Sequence, residues 1–385
     1  MHLTHETLNP VAPAPPTAHS AREARTHQGI PGIVKLPSGR LLATWYAGGT
    51  TECRENYVLL AFSDDDGAGW QEAQAVIDPP HPDVRAFDAG LWIAPDGRVF
   101  WFWAQGCGGD DGISGIVDEV FDGLVGVWMM EIETPDAAPG AFRFGTPRRI
   151  ADGIMLNKPT VLADGTWAMP CSLWSVPSAH RAFHEALHPV YGAGMVVSTD
   201  QGKSFVRRGT VDIRSLGIPP SFDEHMFLQR RDGSIACYVR CNAEDGGIAR
   251  SISDDNGATW SKLELQQLPG KDSRFFIGRL ASGRVLLVTN DSQSAREKLT
   301  AFLSEDDGES WPHKLLLDER RGVSYPDVFE DADGRLYISY DYKRTEGGFL
   351  YLCRITEEDI IAGALGPHSF VRREIDHSKP VPAKD

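Results

Sequence analysis

Residues 328–340 read VFEDADGRLYISY, and the same phrase recurs five more times along the 385-residue chain. An apolar segment meets a small or acidic residue and a Gly, then a second apolar segment follows. The other copies are IVKLPSGRLLATW at 33–45, LWIAPDGRVFWFW at 91–103, TVLADGTWAMP at 160–170, MFLQRRDGSIACYV at 226–239 and FIGRLASGRVLLV at 276–288. Their glycines, Gly39, Gly97, Gly165, Gly233, Gly283 and Gly334, are 58, 68, 68, 50 and 51 residues apart. Each copy predicts two short strands joined by a tight turn whose Gly supplies a positive φ.

A second phrase follows most of these turns: SDDDGAGW at 63–70, STDQGKSF at 198–205, SDDNGATW at 253–260 and SEDDGESW at 304–311. Here an Asp side chain caps turn N–H groups, Gly takes the unusual φ and the aromatic packs between sheets. Ser63 and Ser198 are 135 residues apart, two repeat lengths, so the second unit lacks this box. The sixth, LYLCRITEEDI, lacks it too. Six units with two hairpins each predict six four-stranded antiparallel blades, an all-β six-bladed propeller in one domain. Stacked sandwiches do not call for six evenly placed turns. Helix is expected only at 178–188, SAHRAFHEALH, and in EEDIIAGAL near the end. Residues 1–25 read as an N-terminal arm, a candidate for closing the last blade, since an open ring exposes two edges.

Hydrophobic residues make up 41% and charged residues 24%, as in globular proteins. The net charge of −16 argues against nucleic acid or an anionic membrane as partner. No apolar run reaches the ~20 residues of a membrane span. The opening MHLTHETLNPVAPAPPTAHS has no signal-peptide pattern, so a cytoplasmic location is expected. Cys53, Cys107, Cys171, Cys237, Cys241 and Cys353 form no CxxC pair and are expected as reduced, mostly buried thiols. No cofactor or metal is called for. His184 and His188 are four apart, but a third ligand is lacking.

Topology sorts the polar residues. The starts of first strands and the ends of second strands share one face around the axis, while turns and boxes take the other. The starts bring His27, Gln28, Arg85, Asp88, Asn157, Lys158, Asp223, Glu224, His225, Arg274, Tyr325 and Asp327. The ends bring Tyr46, Glu52, Gln105, Trp174, Arg240, Asn290, Arg296, Tyr342 and Arg344. Unpaired buried charge is costly, so such a ring points to a polar ligand. Carboxylates, guanidiniums and Trp suit a sugar.

With its boxes and blade count, the chain resembles the sialidases from about Gly29 to Leu365. The likeness is carried by GIPGIVKLPSGRLLATW, VSYPDVFEDADGRLYISY and AREKLTAFLSEDDGESW. It implies a retaining exo-α-sialidase-like hydrolase. Tyr325 matches the nucleophile, Glu224 its activating partner, and Arg240 and Arg296 two of three Arg that hold a substrate carboxylate. Glu52 is best placed as acid/base, where the family uses Asp; Glu55 competes. Arg85, Asp88, Lys158, His225, Arg274, Asp327 and Arg344 are the further substrate-binding candidates. Sialidases open the first strand with Arg-Ile-Pro; here the order is Gln28-Gly29-Ile30-Pro31, and the first Arg is missing at Gln28. Arg54, Arg85, Arg274 and Lys158 are available to replace it. Two other readings stay open: a lyase or hydrolase on another sugar, using His225 as base or Asp88 with Glu224, and a non-catalytic carbohydrate-binding propeller.

Overall fold

The computed structural model describes residues 8–107, 125–174, 190–217, 223–241, 247–270, 273–344 and 346–379. Six four-stranded antiparallel sheets, each in simple sequential order, form the six blades of a β-propeller. Blade one holds β1 (Gln28–Lys35), β2 (Leu41–Ala47), β3 (Tyr57–Ser63) and β4 (Ala75–Ile77). Blade two holds β5 (Val84–Ile93), β6 (Val99–Cys107), β7 (Gly126–Glu131) and β8 (Arg148–Asp152). Blade three holds β9 (Thr160–Val161), β10 (Trp167–Leu173), β11 (Gly192–Ser198) and β12 (Val206–Val211). Blade four holds β13 (His225–Gln229), β14 (Ile235–Cys241), β15 (Gly247–Ser253) and β16 (Glu264–Leu265). Blade five holds β17 (Phe276–Arg279), β18 (Val285–Asn290), β19 (Leu299–Ser304) and β20 (His313–Asp318). Blade six holds β21 (Val323–Glu330), β22 (Leu336–Tyr342), β23 (Phe349–Ile355) and β24 (Phe370–Asp376).

Each Asp box is a hydrogen-bonded knot. In the blade-four box, Ser253 Oγ donates to Asp255 Oδ1 at 2.8 Å and accepts from the Gly257 N–H at 2.8 Å. Asp255 also accepts from the N–H of Thr259 at 2.8 Å. Three of the four box glycines, Gly67, Gly257 and Gly308, lie against the preceding blade, while Gly202 packs on Trp167 of its own blade. A Cβ on Gly257 would stand 2.2 Å from Met195 Sδ, and one on Gly67 would stand 2.5 Å from Leu352. The box therefore both turns its own blade and seats it on its neighbour. Leu352 is wholly buried in that seam, where truncation to Ala costs about 2–5 kcal/mol. Where blade six lacks a box, α1 (Glu357–Ala362) connects β23 to β24. Its Asp359 accepts from the N–H of Thr356 and Gly366, closing a capping box.

Of residues 1–25, the described 8–25 do not form the fourth strand of blade six. Ala14 pairs with Val76 at the outer edge of blade one, and blade six is completed by its own β24. Among the described residues, no strand is shared between the chain ends. They are tied by an ion pair and a backbone bond: Arg25 pairs with Asp376 at 3.2 Å, and Lys379 N–H donates to Arg25 O at 2.7 Å. Cys171, Cys237, Cys241 and Cys353 are buried free thiols, and Cys53 is half-buried. The expected helix at 178–188, with His184 and His188, lies outside the described residues.

Three innermost strands are bulged at one matching place. The register slips between Gly29 and Gly32 in β1, Phe87 and Gly90 in β5, and Ser324 and Asp327 in β21. At each slip one residue takes a positive φ: Ile30 (54°), Asp88 (49°) and Tyr325 (54°). A bulge bends a strand and re-aims a side chain. The first strands of blades four and five, β13 and β17, pair without a slip.

Candidate active site

The three bulged residues meet at one mouth of the axis. Ile30, Asp88 and Tyr325 line a cavity of about 240 Å³ with Tyr46, Glu52, Arg85, Phe87, Leu156, Trp174, Glu224, Arg240, Arg296 and Arg344. That is the small end of ligand cavities, matched to one sugar ring rather than a chain. A larger cavity of about 670 Å³ opens among the turn ends of the inner strands, on Trp92, Phe227, Phe276 and Phe329. It lacks any pairing of a nucleophile with a base, and chemistry is assigned to the smaller one.

Tyr325 is the centre of the smaller cavity. Its hydroxyl donates to Glu224 Oε1 at 3.4 Å, a long contact, and accepts from Arg240 Nη1 at 3.2 Å. Arg240 Nη1 also pairs with Glu224 at 2.9 Å. Glu224 and Arg240 are both buried, one just before β13 and one on β14. Guanidiniums of Arg344, Arg296 and Arg274 lie 4.7, 5.1 and 5.6 Å from the tyrosine ring centre. Long hydrogen bonds are common in an unliganded site and tighten around a reacting group.

A second group faces Tyr325 from blades one and two. Glu52 pairs with Arg344 at 2.9 Å and accepts from Tyr46 Oη at 2.9 Å. Burial alone would push the Glu52 carboxyl up; Arg344, then Arg85 and His27, overcome it and hold it down at about 2. Asp88 shifts the other way. Burial, reinforced by Glu52, pushes its carboxyl up to about 7 against the pull of Arg85. Arg85 itself donates to Asn56 Oδ1 at 2.8 Å and stacks 3.9 Å from the Phe87 ring centre. One cavity thus holds an ionised carboxylate and a carboxyl that is half-protonated near neutrality.

Eight of the twelve residues singled out in the sequence line this cavity: Tyr325, Glu224, Glu52, Arg240, Arg296, Arg85, Asp88 and Arg344. The other four face elsewhere. Lys158 Nζ pairs with Asp327 and donates to Ile33 O at 2.8 Å, deeper along the axis. Asp327 also accepts from the N–H of Ile33 at 2.8 Å. Arg274 donates to the carbonyls of Leu156 at 2.6 Å and Tyr325 at 2.8 Å, a strut beneath the nucleophile candidate. His225 sits 3.0 Å from Ser172 Oγ and 3.0 Å from Gly194 O, and burial pushes it down to about 4. It follows Glu224, and successive strand residues point to opposite faces. Glu55 is exposed and Arg54 pairs with Asp83 at 3.3 Å, neither lining the cavity. Gln28 turns away, donating to Gly348 O at 2.8 Å and accepting from Arg25 at 3.0 Å. Ile30, Phe87 and Leu156 were missed; aligning GIPGI, FDAGL and SYPDV across three blades would have found Ile30.

Six sequential blades, four Asp boxes and a buried tyrosine between a carboxylate and arginines define a sialidase-like propeller. The chain belongs to the BNR repeat-like domain family, whose profile matches residues 39–338. It is 24% identical over 360 residues to a sialidase of Micromonospora viridifaciens, covering 84% of this chain and 51% of that protein. The chain thus spans about half the length of that relative. Its fold is similar to the Hadza microbial sialidase Hz136, with a TM-score of 0.68, 16% identity, and coverage of 88% of this chain and 67% of that one. It is also similar to the intramolecular trans-sialidase of Ruminococcus gnavus solved with oseltamivir carboxylate. There the TM-score is 0.64, identity 15%, and coverage 88% and 96%.

Proposed function

We propose that this protein is a retaining exo-glycosidase for a sugar bearing a carboxylate, with sialosides as the first class to test. The carrying observation is the Tyr325 hydroxyl set between Glu224 and Arg240. Glu224 takes the phenol proton as the oxygen attacks the anomeric carbon, and the bond to the leaving oxygen breaks. Negative charge passing through the phenol oxygen meets Arg240, already in place. The leaving oxygen takes a proton from a cavity carboxyl; water, deprotonated by that same group, then displaces the tyrosine. Two inversions give net retention. A tyrosine suits this step because its neutral form does not repel an anionic substrate. Arg240 and Arg296, with a third cation, are the carboxylate ligands.

Glu52 is the proposed acid/base, placed on the β2–β3 loop at the rim. Asp88 is the second reading, favoured by its carboxyl near 7. The two are separable by leaving group. Losing the acid slows a poor alcohol leaving group far more than a nitrophenol, so only the true donor shows that contrast on Glu52→Gln or Asp88→Asn.

The main test is hydrolysis of an aryl α-sialoside by Tyr325→Phe. The expected result is a kcat loss of about 10³-fold or more, with ligand affinity kept within a few-fold. Unchanged turnover would remove the tyrosine from the mechanism. Absence of turnover by the unaltered protein across sialosides, uronides and deoxysugars would leave a carbohydrate-binding propeller.

A further inference from the structure

The cation missing from the first strand has a replacement in another blade. Gly29 faces the cavity side of β1, in register with Tyr46. A Cβ built on Gly29 would stand 2.9 Å from Asp341 Oδ2 and 3.0 Å from both Cβ and Cδ of Arg344. The contact with Asp341 is closer than real Cβ atoms come, and those with Arg344 require its side chain to shift, so a side chain at 29 and the Arg344 side chain compete for one space. Arg344 comes from the turn after β22, where Lys343 takes a φ of 51°. That turn is anchored: Lys343 N–H donates to Gly322 O at 3.0 Å, and Gly348 N–H to Lys343 O at 3.0 Å. The guanidinium reaches the cavity beside Tyr325 and Glu52. Its Nη1 is buried and makes no hydrogen bond among the described residues. Asp341, held by Ser324 Oγ at 2.6 Å and Ile30 N–H at 3.0 Å, lies against the same space.

We infer that Arg344 is the third carboxylate-binding arginine, delivered from blade six through the space that Gly29 leaves open on blade one. The inference rests on the reading of the cavity as a site for an anionic sugar. It explains how a chain without the first-strand arginine still presents three guanidiniums to one ligand. It also gives Arg344 two anions to serve. When a substrate carboxylate takes its free nitrogen, Glu52 shares its cation with a second negative charge and becomes easier to protonate.

The test compares an aryl α-sialoside with its carboxylate methyl ester, a neutral twin. For Arg344→Ala, KM for the acid is expected to rise about 10- to 100-fold, with a change of only a few-fold on the ester. Arg344→Lys, which keeps the charge without the fork, is expected to fall between, and stands in if the alanine variant does not fold. The exchange variant Gly29→Arg/Arg344→Gly is expected to recover most of the preference for acid over ester. Gly29→Arg alone is expected to lower the melting temperature, because two side chains then claim one space. If Arg344→Ala keeps the full acid preference, or loses acid and ester activity equally, the inference is overturned while the glycosidase reading stands. If the unaltered protein cleaves neither compound, the acid and ester pair is remade on a uronide that it does cleave; if it cleaves no acidic glycoside, both fall.

Discussion

Blades six, one and two begin with bulged strands, whereas blades four and five begin with regular ones. The bulged set turns a single residue out of the pleat at a matching position and points it at the axis, giving Tyr325, Ile30 and Asp88. The regular set leaves its inner strands in plain alternation. Its functional side chains enter from strand ends and loops, as Glu224, Arg240 and Arg296 do. Strain is therefore spent on one half of the ring, where the nucleophile candidate sits, and the other half offers a relaxed wall of partners.

Substitution at Asp88 tests this contrast most strongly. Asp88→Val and Asp88→Asn both remove the charge, but only valine resists a positive φ. The valine variant is expected to be less stable than the asparagine one by about 1–3 kcal/mol in denaturant titration. Gln229→Val in the regular β13 loses only the bond from the Ala163 N–H at 2.6 Å and is expected to cost about 1 kcal/mol or less. Equal stability of the two Asp88 variants would mean that the bulge is not strained.

Both halves bury a carboxyl with a raised pKa, Asp88 at about 7 and, in blade four, Asp223 at about 8. Burial is the main cause in each. Their folded values lie above the unfolded value near 3.9, so the folded state binds the proton more tightly. The stabilisation is full below about pH 4 and is lost as pH rises through 7 for Asp88 and 8 for Asp223. Asp88→Asn and Asp223→Asn are each expected to flatten that decline, on the order of 4 kcal/mol in unfolding titrations from pH 4 to 8.5. A decline unchanged in either variant would assign it to other groups.

The smallest effect is expected where the halves do not differ. Asp boxes occur in blades one, three, four and five, bulged or not. Ser253→Ala in the blade-four box is expected to cost about 1 kcal/mol of stability and leave KM unchanged. A shift in KM would mean that the box face speaks to the site.

The propeller was legible in the sequence because its turns are local devices. Gly39, Gly97, Gly165, Gly233, Gly283 and Gly334 all take positive φ, which only a few residue types tolerate. The docking of the N-terminal arm was not legible, since it rests on scattered contacts that no local pattern announces: the Ala14–Val76 bridge, Asn9 O accepting from Gln105, and Arg22 pairing with Asp376. Topology brought the site residues to the right mouth but did not say which way each one faced. Asp327 lies two residues past Tyr325, where unbroken alternation would put both on one face; the bulge between them breaks it. The space at Gly29 was equally hidden, because a glycine shows nothing of the arginine that crosses it from the far end of the chain.

That crossing has a bearing on how the protein is made. The cavity takes lining from both sides of the seam where blade six meets blade one, and among the described residues no strand pairing crosses that seam. On the ribosome, β1 waits for β21 through about 300 further residues, roughly 15–60 s at ordinary elongation rates. For that time the apolar flank of blade one, with Ile33 and Trp45, has no permanent neighbour. A nascent chain stalled before Tyr325 would carry five finished blades and an open ring, a sticky arc in need of a chaperone.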